Sequence, residues 1–371
     1  MPILLFTPFS MRKLTLRNRI VISPMCQYSA ERGNADDWHR IHLGQMALGG
    51  AGLLCIEATA VEQAGRITPG CLGLFSDENE SALRGVLESV RRISEMPLAL
   101  QLSHAGRKAS SNVPWKGGSL IPRDKGGWQT FAPSAVPHAA NEMPPTAADD
   151  AALQRICNAF ASAATRASRL GIDALELHAA HGYLLHQFLS PIANRRTDNY
   201  GGSLENRMRF PLAVFDAVRA AWPADKPLGV RISCTDWVDG GWTLDESVAF
   251  ALVLTQRGCD WVDASSGGIS PNQKIPLSAG YQVPFAERIK KETGATTMSV
   301  GLITDPRQAE EIIASGKADM VALARGMLYD PRWAWHAAAE LGATVSYPQQ
   351  YSRCAPRDKQ HIFENLVVAQ R

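Results

Sequence analysis

Eight short, β-rich apolar runs alternate with longer stretches of helical pattern along this chain, and that alternation constrains its fold more than any other feature. The runs lie at residues 19–23, 52–58, 98–102, 174–177, 228–233, 261–264, 296–300 and 320–324. Most are continuously apolar, as strands buried on both faces of a parallel sheet must be. Helical periodicity fills intervals at 149–170, 204–221, 245–257, 284–292 and 305–315. In the second of these, Leu204, Met208, Leu212 and Phe215 recur on one face. Asp305 before Pro306, and Thr243 before Asp245 and Glu246, are helix starts: an oxygen caps free N–H groups, then proline or acids follow.

Eight β-then-α units predict a (β/α)8 TIM barrel, with residues 1–371 forming one domain. A doubly wound open sheet is the alternative, and it calls for a glycine-rich turn after the first strand. Here Ser23-Pro24-Met25-Cys26-Gln27-Tyr28 follows that strand, and no G-x-G-x-x-G occurs anywhere. The stretch 104–146 breaks the rhythm, carrying proline, glycine and aromatics with little helical pattern. A loop of that length after the third strand is expected to be an active-site capping insertion.

Charge and cysteine usage narrow the class. The 38 basic and 36 acidic residues are mixed throughout, with no basic run, which argues against a nucleic-acid partner. No apolar run reaches the roughly 18 residues of a membrane-spanning helix. Seven scattered cysteines, without a Cys-x-x-Cys and without a secretory signal before Pro2-Ile3-Leu4, suggest a reduced, cytoplasmic protein.

In a barrel the C-terminal strand ends converge on one pocket. Those ends carry Ser23 to Tyr28, Glu57 to Ala60, Gln101 to His104, His178 to Tyr183, Arg231 to Ser233, Ser265 to Gly268, Gly301 and Arg325. The set is rich in donors and poor in the carboxylates that glycosidases need. His178 and His181 admit three readings: half of a zinc site lacking its third ligand, a structural pair bonded to backbone, or two donors aimed at one ligand oxygen. The last is favoured, with Tyr183 as a proton source. Gly301 and Arg325, at the ends of the last two strands, suit a phosphate: glycine lets it approach backbone N–H groups and arginine neutralises it. Arg231 closes an apolar strand with no acid before it. An ion pair with Glu57 or Glu176 is one reading, and a cofactor that becomes anionic in turnover is the favoured one. Gln101 suits an amide edge, and Cys26 is a buried small hydrophobe in its plainest reading.

These motifs resemble the flavin-dependent old yellow enzymes, or ene-reductases. The matching segments include Leu16-Arg17-Asn18-Arg19, Ser23-Pro24-Met25-Cys26-Gln27-Tyr28, Gln101-Leu102-Ser103-His104-Ala105-Gly106-Arg107-Lys108 and His178-Ala179-Ala180-His181-Gly182-Tyr183. The run Asn194-Arg195-Arg196-Thr197-Asp198-Asn199-Tyr200-Gly201-Gly202-Ser203-Leu204-Glu205-Asn206-Arg207 is the most specific. Cys26 with Tyr28, and a His–His pair, resemble the thermophilic-like branch containing xenobiotic reductases.

The resemblance implies one tightly bound, non-covalent FMN, with Ser23, Pro24, Met25, Cys26, Ala60, Gln101 and Arg231 at its ring. Gly301, Ala324 and Arg325 would hold its phosphate, and Cys26 would tune its redox behaviour. It implies ping-pong chemistry: NADPH or NADH reduces FMN, then an activated alkene (an unsaturated ketone, aldehyde, imide or nitro compound) binds in the same pocket. His178 and His181 would hold the activating oxygen, Tyr183 would protonate the α carbon, and Tyr28 would line the substrate side. A homodimer or higher homo-oligomer is implied, with the tail at 345–371 reaching a neighbouring subunit and Arg353 as the candidate inserted residue. An iron–sulfur flavin barrel is the nearest competitor, but its cysteine cluster is not visible. An aldolase or isomerase would need a strand-end lysine or acid pair.

Overall fold

A computed structural model describes residues 2–366. Eight strands form a closed, parallel barrel: β1 (Ile20–Ile22), β2 (Leu53–Ala60), β3 (Leu98–Ser103), β4 (Ala174–Ala179), β5 (Leu228–Ser233), β6 (Trp261–Ser265), β7 (Thr297–Ser299) and β8 (Met320–Leu323). Val321 opposite Ile20 pairs β8 with β1 and closes the ring. The fold is the (β/α)8 TIM barrel that the alternation predicts, and the open sheet is excluded.

Two packed regions hold it together. The helices cover the outside of the strands, where Leu54, Ile56, Leu100, Leu175 and Val230 meet Leu83, Phe160, Phe215 and Phe250. Inside the barrel, Val21, Leu53, Ala99, Ala174, Trp261, Met298 and Met320 form a second cluster. A hairpin of Phe9–Met11 and Leu14–Leu16 adds Met11 and Leu16 to it, filling that end. Gly229 is required there, because a Cβ would lie 2.0 Å from the Trp261 ring.

The helix expected at 204–221 spans Leu204–Ala221, and the one at 149–170 spans Asp150–Arg169 behind its Asp149 cap. Helices at Asp37–Ala47, Asp77–Arg91 and Leu184–Leu189 were not anticipated. All six residues of the last are buried, so it has no polar face to give a period. The stretch 104–146 consists of 3-10 turns and a two-residue pair, Phe131–Ala132 with Thr146–Ala147. Arg107 anchors it, donating to the carbonyls of Val136, Pro137 and Ile269. Among the described residues, no helix is long and apolar enough to cross a membrane.

Candidate active site

The period of two along each strand builds the site. Above the apolar layer of Ala99, Ala174, Gly229 and Trp261 comes a polar one of Gln101, Glu176, Arg231 and Asp263. Two residues further on, at the mouth, stand Ser103, His178, Ser233 and Ser265. Strand register puts Gln101 beside Glu176, and Asp263 beside Arg231. The polar layer is buried and internally bonded: Gln101 Nε2 and Trp261 Nε1 donate to Glu176 at 2.8 and 3.2 Å.

Arg231 lies 3.0 Å from Asp263. This corrects the partners considered from sequence. Glu57 is turned elsewhere, because β2 shifts register between Ile56 and Thr59. Its carboxylate accepts the Gln27 N–H at 3.1 Å and faces His39 at 3.4 Å. Asp263 escaped notice because it sits inside its strand rather than at the end. Burial raises both the Asp263 and Glu176 carboxyls, against the pull of the Arg231 charge.

His178, His181 and Tyr183 come together. The rings of His178 and Tyr183 meet edge to face at 4.8 Å. His178 Nδ1 accepts the Ala180 N–H, so a neutral His178 carries its proton on Nε2. That nitrogen lies 3.3 Å from His181 Nδ1, and His181 Nε2 lies 2.7 Å from Ser265 Oγ. The histidines therefore bond to each other and to a hydroxyl, forming a polar chain across the mouth. Burial, then the nearby Arg231 charge, push both imidazoles well below the ordinary histidine range. They are neutral donors at neutral pH. Burial raises the Tyr183 phenol, which keeps its proton.

The loop holding them is tightly determined. His181 has φ +56°, and Ser233 Oγ accepts its backbone N–H at 2.9 Å. Gly268 passes so close that a Cβ would lie 2.4 Å from His181 Cα. Beneath, Gly182 donates to His186 Nδ1, and His186 Nε2 pairs with buried Asp236 at 2.9 Å.

The expected cofactor residues surround the same mouth. Ser23, Pro24, Met25 and Cys26 follow β1, Ala60 ends β2, and Gly301 follows β7 with φ +125°. Ala324 and Arg325 follow β8 directly. Ser23 Oγ and Ser103 Oγ are buried without a hydrogen-bond partner among the described residues. Buried hydroxyls, a carboxamide and a guanidinium around one rim, with glycine and arginine after the last two strands, fit a flat polar ring bearing a phosphate. FMN is such a group. Burial raises the Cys26 thiol, so it is no thiolate nucleophile.

Tyr28, at φ +53°, packs edge to face on Trp115 of the capping stretch at 5.8 Å. Arg353 follows the turn Gln349–Tyr351, and Gln349 and Gln350 line a groove with residues 50–52 and 94–97, which precede β2 and β3 at the end opposite the mouth. The tail beyond residue 366 lies outside the described residues.

Lys108 had no role assigned from sequence. Its Nζ donates to the carbonyls of His181 and Gly268 at 2.8 and 3.1 Å and lies 5.1 Å from the Tyr183 ring centre. Burial, with the Arg107 charge, lowers it to about 8. A lysine one residue beyond an arginine reads as an ordinary solvated pair, so only the closed capping stretch shows that it is enclosed.

A parallel barrel with a polar rim, a phosphate-suited pair of strand ends and neutral His–His–Tyr donors is the architecture of a barrel oxidoreductase with a planar redox cofactor. Residues 4–343 match the model of the NADH:flavin oxidoreductase / NADH oxidase family, and the chain belongs to that family. It is an FMN-dependent oxidoreductase of the old yellow enzyme type. An NADPH dehydrogenase of Geobacillus sp. (strain WCH70) is 44% identical over 95% of this chain and 99% of its own. One of Listeria innocua is 41% identical over 94% and 98%. Morphinone reductase in complex with tetrahydroNAD superposes with a TM-score of 0.74 at 28% identity, covering 98% of this chain and 94% of that one.

Proposed function

We propose that this enzyme is an NADPH-dependent ene-reductase that reduces the activated C=C bond of α,β-unsaturated carbonyl or nitro compounds in a ping-pong cycle. The observation that carries this reading is the neutral His178–His181 pair set edge-on to the protonated Tyr183 over the Arg231 layer. NADPH as donor is supported by the names of the relatives, with NADH as the second possibility. Bound FMN, held tightly and without a covalent link, supplies the two-electron acceptor and donor.

The chain's own residues do the rest. Ser265 is a hydroxyl that accepts or donates. When it donates to His181 Nε2, the His181 proton resides on Nδ1. The bond between the two rings is then given up: His178 Nε2–H and His181 Nδ1–H both face the gap, and a substrate oxygen entering it accepts from both in its place. Such paired donors strengthen as charge develops on that oxygen, which polarises the alkene. Tyr183 delivers the proton from its Oη to the α carbon, and its high affinity for that proton holds it ready at neutral pH. Tyr28 lines the substrate side. Ser23, Pro24, Met25, Cys26, Ala60, Gln101 and Arg231 hold the ring, and Gly301, Ala324 and Arg325 hold the phosphate. Arg231 offsets negative charge there.

The whole chain acts as one domain with 104–146 as its cap, in the cytoplasm, as a homodimer or larger homo-oligomer. Within it the tail at 345–371 presents Arg353 to a neighbour's mouth. The test is an anaerobic one: NADPH bleaches the yellow protein and cyclohexenone restores the colour. Folded protein that takes up no flavin, or reduced protein that no alkene reoxidises, overturns the reading.

A further inference from the structure

A second chamber opens beside the proposed alkene site. It has a volume of about 170 Å³ and is lined by Tyr28, Thr68, Arg107, Lys108, His138 and Glu142, among others. Lys108 belongs to both spaces, since it also touches the His181 carbonyl and the Tyr183 ring. Polar atoms there lack partners. Arg107 is 4% exposed, and its Nε is buried with no acceptor while its other nitrogens hold three carbonyls. His138 Nδ1 is also buried and unpartnered.

The charges do not balance. Arg107 and Lys108 bring two cations, and Glu142 is the one anion among the lining residues, its Oε2 accepting the Ala139 N–H. Asp236 also acts on Arg107 but lies outside the lining and is held by His186 at 2.9 Å. His138 stays neutral, because burial and the neighbouring Lys108 and Arg107 charges lower it to about 4. One positive charge is left over along this lining, where the complement is a single negative charge able to accept hydrogen bonds.

We propose that this chamber binds a carboxylate carried by the alkene itself, so that the enzyme prefers unsaturated carbonyl compounds bearing one anionic group. The inference rests on the ene-reductase reading and names the substrate class of that same site. A carboxylate suits the single excess charge better than a phosphate dianion does. Lys108 is the residue that joins the two spaces, and its ammonium would meet the carboxylate while the enone oxygen sits between the histidines.

The test compares acetylacrylate, an enone bearing a carboxylate, with its methyl ester on the FMN-loaded enzyme. The acid is expected to show a kcat/KM about tenfold above the ester, the effect of one charge-assisted contact. Lys108→Gln should bring the acid-to-ester ratio to within about twofold of one, and Glu142→Gln should raise it about threefold. Calorimetric titration with levulinate and methyl levulinate, which cannot be reduced, should give the same ordering in Kd. It also decides the matter if Lys108→Gln does not fold. Ester turnover without preference for the acid, or failure of both compounds where cyclohexenone is turned over, overturns the chamber alone, whereas reduced protein that neither they nor cyclohexenone reoxidise overturns the ene-reductase reading. If Lys108→Gln weakens NADPH binding and leaves the acid-to-ester ratio intact, the chamber serves the nucleotide and the proposal is wrong.

Discussion

The hydroxyl of Ser265 lies 2.7 Å from His181 Nε2, and when the hydroxyl is the donor the proton of neutral His181 is left on Nδ1. Ser265→Ala removes that donor and leaves Nε2 without its partner. Phenolic ligands should bind about tenfold more weakly, equivalent to about 1.4 kcal/mol. FMN content should be unchanged, and a titration of flavin absorbance with a phenol reads both. Unaltered phenol affinity would mean that the hydroxyl does not set the tautomer.

His178→Ala should weaken enone and phenol binding far more than FMN binding, because His178 Nε2 faces the gap and Ala180 alone fixes its other nitrogen. An equal loss of both ligands would make the pair structural. Tyr183→Phe should slow reoxidation by alkene by about 100-fold while NADPH still bleaches the protein at the normal rate. Stopped-flow on the separate half-reactions distinguishes them, and a defect confined to the NADPH step would remove Tyr183 from the proton-donor role.

Ionisation sets a pH signature. Both site imidazoles are lowered from 6.5 and the Tyr183 phenol is raised from 10.0, so none titrates between those two values. The alkene half-reaction should therefore be flat across that range as far as these groups are concerned, and an inflection near 6.5 tracing to His178 would contradict neutral donors. Stability behaves differently. His42 and His138 are each lowered from 6.5 to about 4, chiefly by burial, so the unfolded chain binds their protons first as pH falls. Their contribution is retained above 6.5 and is lost as pH drops toward 4. His138→Gln should flatten that part of a melting-temperature profile.

Arg231 and Asp263, 3.0 Å apart, should move the cofactor potential in opposite directions. Arg231→Met removes the cation proposed to lie near the anionic reduced ring and should make the FMN midpoint more negative by at least on the order of 30 mV. Asp263→Asn leaves the guanidinium without its 3.0 Å partner and should shift it positive by a similar amount. Equal signs from the two variants would show that the pair acts only through packing.

Gly268→Ala should destabilise the protein by about 1–3 kcal/mol and disorder the histidine loop. Gly268 has φ +92°, and a Cβ would lie 2.4 Å from His181 Cα. Thermal melting and phenol titration should both fall. Wild-type affinity in a destabilised variant would show that the loop holds its shape without this contact.

The apolar runs and the helical spacing between them determined the barrel, because burial on both faces demands continuous strands and eight β-then-α units close on themselves. Strand ends located His178, Arg231 and Gly301 for the same reason: the ends of parallel barrel strands share one mouth. Legibility stopped where partners come from other strands. Asp263 and Glu176 look like isolated acids within apolar runs, and only register sets them beside Arg231 and Gln101. Lys108 looks like a surface cation until the capping stretch encloses it beside His181 and Tyr183. The sequence alone located the strand ends that form the mouth, since burial pattern and side-chain alternation are local. Tertiary structure decided which side chains meet there and which hydroxyl bonds the histidine, because those depend on distances between segments far apart in the chain.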